Sequence, residues 1–191
     1  MREFIFKKED FNVTKWAGGE TTQLAIYPYD ADFSERDFLW RVSSATFTST
    51  SSEFSNFSGF QRYILPLKGK LNLYHEKLYQ RKLTEFEAEY FDGSWKTLSE
   101  NTLDCMDYNF IVKNGSTAKL QIIGEKEEYT LKSSYVMTLF SLDDFEIEIE
   151  GFGEIRKVDG FSLFVIENDQ EKKAKITKAT SPVIVTEFEL G

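Results

Sequence analysis

Two arginines could hold an anion, one inside a segment that reads as a strand, where a charge needs a partner, and one that follows a Ser/Gly loop. Arg41 lies within Trp40-Arg41-Val42-Ser43-Ser44-Ala45, and Arg62 closes the run Phe54-Ser55-Asn56-Phe57-Ser58-Gly59-Phe60-Gln61-Arg62. A guanidinium is a planar, permanently charged fork that grips a carboxylate through two parallel hydrogen bonds. Ser43, Ser55 and Asn109 add neutral groups that would orient a ligand, Trp40 an aromatic wall, and Asp107 a carboxyl group able to serve as acid or base. In a small barrel, inward polar residues among aromatics are the lining expected of a ligand cavity. The set suits a small anionic metabolite, with Arg62 as the principal contact and Arg41 as the second. The same residues allow another reading: Arg41 and Asp107 tie two strands together as a buried ion pair, while Ser43 and Asn109 satisfy backbone groups.

Other chemistries lack their residues. The chain has one histidine, His75, and its neighbour Glu76 points to the opposite face of a strand, so the two cannot readily share an ion. No metal and no cofactor are expected, and His75 reads as a surface residue at a strand end. The single Cys105 excludes an internal disulfide and has no second histidine system to activate it; it reads as structural. No Gly-x-Ser-x-Gly, Gly-x-Gly-x-x-Gly or phosphate-loop pattern occurs.

The elements that must hold these groups are strands. Runs at 70–75, 119–123, 145–150 and 183–188 alternate polar and apolar residues with a period of two. Leu78 to Ala88 reads equally as helix or strand, and Ser141 to Phe145 as one short helical turn. Asn114-Gly115, Asp92-Gly93 and Asp159-Gly160 are reversal signals, the first in the setting of a hairpin. Gly18, Gly19 and Gly59 read as turn residues of positive φ, and Trp16 and Trp40 each as a core or interface aromatic, the alternative to Trp40 as a pocket wall. The acidic face Asp143, Asp144, Glu146, Glu148 and Glu150 reads as one solvated strand face that also guards a sheet edge. The expected fold is all-β, a duplicated barrel or sandwich with few or no long helices. It forms one compact unit over 1–191, in two halves of about 1–125 and 126–191, consistent with a weak internal repeat in the hydrophobic pattern.

Charge narrows the partners. Lys and Arg number 23 against 32 Asp and Glu, a net charge of −9, with no concentrated basic stripe. Nucleic-acid binding would lose the counterion-release term that drives it. No run approaches a membrane span, and Met1 to Phe11 lacks the apolar core of a signal peptide, so the protein is expected to be soluble and cytoplasmic.

Five short motifs resemble the HutD/Ves family: Trp16, Gly18, Gly19 and Thr21; Trp40, Arg41, Ser43 and Ala45; Phe54, Ser55, Phe57, Gly59 and Arg62; Phe91, Asp92 and Gly93; and Asp107, Tyr108 and Asn109. They cover roughly residues 10 to 125 in the family's order and spacing. Tyr108 replaces the usual Phe, and the Ser/Thr-rich stretch from Phe47 to Glu53 stands where relatives tend to carry Gly-Pro. The resemblance implies a cupin-like bicupin fold, an association with histidine utilisation or stress response, and a homodimer; it implies no established reaction. The favoured function is metal-independent, non-catalytic binding of a small carboxylate metabolite, with regulation as its purpose. The alternatives are a metal-independent isomerase or lyase using Asp107, and a scaffold for a protein partner.

Overall fold

A period of two leaves each segment one apolar face, which a second sheet must cover. A computed structural model, describing residues 1–190, places these segments in antiparallel sheets. The strands of the first part are β1 (Arg2–Phe6), β2 (Asn12–Trp16), β3 (Gly19–Tyr27), β4 (Trp40–Phe47), β5 (Ser51–Glu53), β6 (Phe60–Lys68), β7 (Leu71–His75), β8 (Tyr79–Leu83), β9 (Glu89–Asp92), β10 (Thr97–Asn101) and β11 (Met106–Lys113). Those of the second are β12 (Ala118–Ile123), β13 (Glu128–Leu131), β14 (Tyr135–Phe140), β15 (Phe145–Ile149), β16 (Arg156–Val158), β17 (Leu163–Asn168), β18 (Lys172–Ala179) and β19 (Val183–Glu189). Among the described residues the one helical element is a 3-10 turn at Lys8–Asp10, and no helix is long and apolar enough to cross a membrane. The all-β, duplicated architecture expected from the sequence is what the chain adopts.

The chain divides into two compact units, Phe11–Gly115 and Met1–Asp10 with Ser116–Gly191. The first ten residues go with the later unit because β1 pairs with β17 from Arg2↔Glu167 to Phe6↔Leu163. In the Phe11–Gly115 unit one sheet runs β2-β3-β4-β11-β6-β9 and the other β5-β10-β7-β8. In the second unit they run β1-β17-β14-β19-β12 and β13-β18-β15-β16. There the interior is an apolar cluster that includes Leu131, Met137, Phe145, Ile166 and Val185.

Several local expectations change. Asn114-Gly115 is a turn, with Gly115 at φ 85, but it closes no hairpin: β11 pairs with β4 and β6, and β12 with β19. Asp92-Gly93 and Asp159-Gly160 likewise lead from one sheet to another. These dipeptides specify a reversal of the backbone, whereas pairing depends on which sheet needs the next strand. The Leu78 to Ala88 segment contributes strand β8, and Ser141 to Phe145 is a bend leading into β15. The acidic residues of β15 do face outward, but β15 guards no edge, because β18 and β16 flank it. Glu148 stands opposite Lys175, and Glu146 opposite Lys157 and Lys178. Opposed charges across strands favour that pairing.

Candidate ligand pocket in the Phe11–Gly115 unit

β11 is the central strand of the site, with β4 on one side and β6 on the other. Its alternation sends Asp107, Asn109 and Ile111 to one face and the buried rings of Tyr108 and Phe110 to the other. Ile111 is opposite Arg41 on β4 and Arg62 on β6. Two strand spacings separate the arginine backbones by roughly 10 Å, so both guanidinium groups flank one cavity from the same sheet face. That cavity measures about 330 Å³, within the range of small-molecule sites.

The structure brings six of the seven expected residues to this cavity: Arg41, Ser43, Ser55, Arg62, Asp107 and Asn109. Trp40 is absent from the lining. It adjoins Arg41 on β4 and so faces the opposite way, fully buried, stacked on Tyr27 with ring centroids 5.7 Å apart. The period-two rule that separates His75 from Glu76 separates Trp40 from Arg41 as well. Trp16 lies outside the core. It is 38% exposed at the cavity mouth, edge-on to Phe47, with its indole N–H donating to Thr21 Oγ1 at 3.2 Å.

The two arginines are held differently. Arg41 donates from Nε to Gln23 Oε1 at 2.8 Å and from Nη1 to Ser43 Oγ at 3.0 Å, and lies over the Phe33 ring. Arg62 is 5% exposed, and its Nε has no hydrogen-bond partner. Its guanidinium lies 4.6 Å from the Phe54 ring and 5.3 Å from both Phe57 and Phe91. Cation–π contact gives the charge partial compensation without using its donors. Burial pushes both arginines down to about 10, so each remains charged at neutral pH.

Asp107 is buried, and its Oδ1 accepts the Ala45 N–H at 3.0 Å. It forms no salt bridge with either arginine; the ion pairs among the described residues lie elsewhere. Burial pushes its carboxyl up to about 7, outweighing the Ala45 N–H and the two arginines, which favour the charged form. The Oδ1 of Asn109 is also buried without a partner.

The motif residues explain one another. Gly93 donates its N–H to Phe60 O and accepts the Phe57 N–H, each at 2.8 Å, and a side chain at position 93 would collide with both segments. Asp92 Oδ1 accepts the Ser94 N–H, and Asn56 Oδ1 the Ser58 N–H. The Phe-Asp-Gly turn thereby fixes the loop that carries Phe54 and Phe57 beneath Arg62. Gly59 does take a positive φ of 88. Gly19 also takes a positive φ, 159, and a side chain there would strike the Thr46 carbonyl; Gly18 is required for space instead, since a side chain there would strike the Trp16 ring.

Sequence reasoning missed Arg36, Gln23 and Phe33. Arg36, in the β3–β4 loop at φ 59, stacks over Phe33 at 4.4 Å and Phe57 at 3.8 Å, with Nη1 buried and unpartnered. It is the third guanidinium on this aromatic set. The spacing of Phe33 and Arg36 in an irregular loop carries no periodic signal that could have marked them.

His75 is another correction. It is 2% exposed, its Nδ1 is 2.9 Å from Thr97 Oγ1, and Tyr79, Phe91 and Trp95 surround its ring. Thr97 Oγ1 donates to Trp95 O, which leaves its lone pair for an Nδ1–H and makes Nε2 an unpartnered acceptor. Burial lowers its pKa. Cys105 is buried and its thiol is pushed up to about 12, an inert structural group.

Paired antiparallel sheets in duplicate define a cupin-like protein. The HutD family pattern matches residues 8–184, and the chain belongs to the HutD family. Among solved structures it is similar to HutD from Pseudomonas fluorescens SBW25 in a formate condition, at 21% identity over 100% of both chains and a TM-score of 0.78. A conserved protein of unknown function from Pseudomonas aeruginosa PAO1 shares 24% identity over 99% of this chain and 98% of its own, with a TM-score of 0.82. The bacterial pirin YhhW from Escherichia coli, in complex with nickel(II), matches at 8% identity over 100% of both chains with a TM-score of 0.67. A comparison with curated proteins gives no match.

Cupin-like folds often hold a transition metal, and the residues here do not fit one. Among the described residues no three His, Cys, Asp or Glu side chains converge. The single imidazole is enclosed by aromatic rings rather than carboxylates.

Proposed function

We propose that the Phe11–Gly115 unit binds a small carboxylate metabolite without a metal, with a regulatory role in histidine utilisation. Arg62 is the principal anion contact and Arg41 the second; Ser43, Ser55 and Asn109 orient the ligand. One observation carries the reading: two buried guanidinium groups, neither ion-paired, border the same cavity. A buried cation without a counter-charge is costly, and a bound carboxylate would supply that charge with bidentate geometry. The missing Arg41–Asp107 salt bridge weakens the structural alternative. Membership of the HutD family supports the metabolic setting.

A thermal-shift screen against histidine, urocanate, glutamate and formylated glutamate, with and without chelator, tests it. A carboxylate-specific, chelator-insensitive rise of a few degrees, lost in Arg62→Ala, is expected. An equal rise in folded Arg62→Ala would sink the assignment.

A second reading rests on Asp107. A carboxyl group near 7 beside bound substrate is poised for proton transfer, as an isomerase or lyase requires. Turnover of any bound carboxylate would favour it; binding without turnover favours the first.

A further inference from the structure

Asp107 is the one acid buried in a cavity bordered by arginines, and a bound carboxylate would join it there. We propose that anion binding at this site is coupled to proton uptake by Asp107, so that the pocket accepts a carboxylate together with a proton. The inference rests on the anion-binding reading.

Asp107 shares its face of β11 with Asn109 and Ile111, the residue between Arg41 and Arg62. Arg41 spends two of its donors on the neutral Gln23 and Ser43, and Arg62 lies against three aromatic rings. The Asp107 carboxylate is therefore supported by the arginines through space, without a hydrogen-bonded ion pair. An incoming anion takes over part of that positive field and adds its own negative charge close to the buried carboxyl group. Both effects disfavour an ionised Asp107.

The surrounding groups do not mask this change. Arg41 on β4, Arg62 on β6 and Arg36 in the β3–β4 loop keep their charge through neutral pH. Glu53 on β5 is exposed at the mouth and Asp104 is in solvent. Cys105, just before β11, holds its proton, and His75 on β7, which faces Arg62, has its pKa lowered by burial. With Asp107 at about 7 in the free pocket, anion binding raises it further. Below that value Asp107 is already neutral and affinity is flat; above it, affinity falls by about tenfold per pH unit until the bound-state pKa is reached.

The test uses the full chain with [13C]formate as probe, titrated by NMR from about pH 6 to about pH 9, and with proton uptake followed in unbuffered solution near pH 7.5. The wild type should consume up to about one proton per formate bound, and its affinity should fall about tenfold between pH 7.5 and 8.5. Folded Asp107→Asn should consume none and bind equally across the range. Formate binding to the wild type with no proton uptake and no pH dependence overturns the coupling and leaves the anion pocket standing. No formate binding at any pH, or binding that survives Arg62→Ala, overturns both. The wild-type proton count needs no variant, so it decides the matter even where Asp107→Asn does not fold.

Discussion

Glu187 in the second unit and Arg62 in the Phe11–Gly115 unit are both almost fully buried charges, and their surroundings are opposite. Glu187 accepts from Gln121 Nε2 at 3.0 Å and has Lys132 Nζ 2.7 Å from its other oxygen, on a strand whose Thr186 pairs with Thr138 at 2.6 Å. Its partners are an amide donor and a cation, and the interior beside them is aliphatic and aromatic. Arg62 has rings where Glu187 has donors, and Arg41, Arg36 and Asp107 nearby complete no ion pair. Buried groups left unmatched cost stability, and such a cost persists where a ligand completes the set. The second unit thus shows what an ion-paired buried charge looks like in this fold, and the pocket departs from it at Arg41 and Arg62, which have no such partner.

The sharpest way to expose that difference is pH. The folded-state pKa of Asp107, about 7, lies above its ordinary 3.8. Its contribution to stability is fully present below about 4 and is lost as pH rises through about 7, by at most about 4 kcal/mol. Urea unfolding at about pH 5 and about pH 8 should show about 3 kcal/mol of that loss at most in the wild type and a much flatter response in Asp107→Asn. An identical slope in the two proteins would place the charge of Asp107 elsewhere than in an unpaired cavity.

Arg62→Met separates binding from stability. Methionine keeps most of the side-chain volume against Phe54, Phe57 and Phe91 and removes the unpaired charge. Carboxylate affinity should fall at least about 100-fold, about 3 kcal/mol, by calorimetric titration, while stability stays level or rises. A stability loss with affinity retained would make Arg62 a structural residue like Glu187.

How much of this was legible beforehand follows from periodicity. Arg41 and Ser43 on β4, and Asp107 and Asn109 on β11, are each two residues apart, so each pair shares a face whichever sheet its strand joins; Arg62 was legible from its motif and not from parity. The pocket-wall reading of Trp40 ignored that same parity, whereas its reading as a core aromatic agrees with its complete burial. Arg36 and Phe33 could not be read, because a loop has no period and their convergence on Phe57 depends on tertiary structure. His75 failed for a related reason: a polar residue at a strand end reads as exposed, but β10 and the turn before it bring Thr97 and Trp95 against it. The turn dipeptides marked reversals and could not say which sheet receives the next strand, since that depends on contacts distant in sequence.

Glu187→Ala is the counterpart in the second unit. It strands the Gln121 amide and frees Lys132, whose side chain is 45% exposed and can turn to water. A loss of about 2 kcal/mol in urea unfolding is expected, from the broken hydrogen bonds and the space left behind. Carboxylate binding should be unchanged. A parallel loss of affinity would mean that the two sets of buried charges are not independent.

Trp40→Phe carries the smallest expected effect and tests the two faces of a single strand. Trp40 and Arg41 are adjacent, yet the first stacks on Tyr27 away from the cavity and the second lines it. Phenylalanine gives up part of that stack, but it also removes a buried indole N–H that has no partner. The two terms oppose, so stability should change by about 1 kcal/mol or less. Affinity should not change at all, because no atom of residue 40 reaches the cavity. If Trp40→Phe weakened binding as Arg62→Met does, β4 would have to present both parities to the ligand, which a regular strand cannot do.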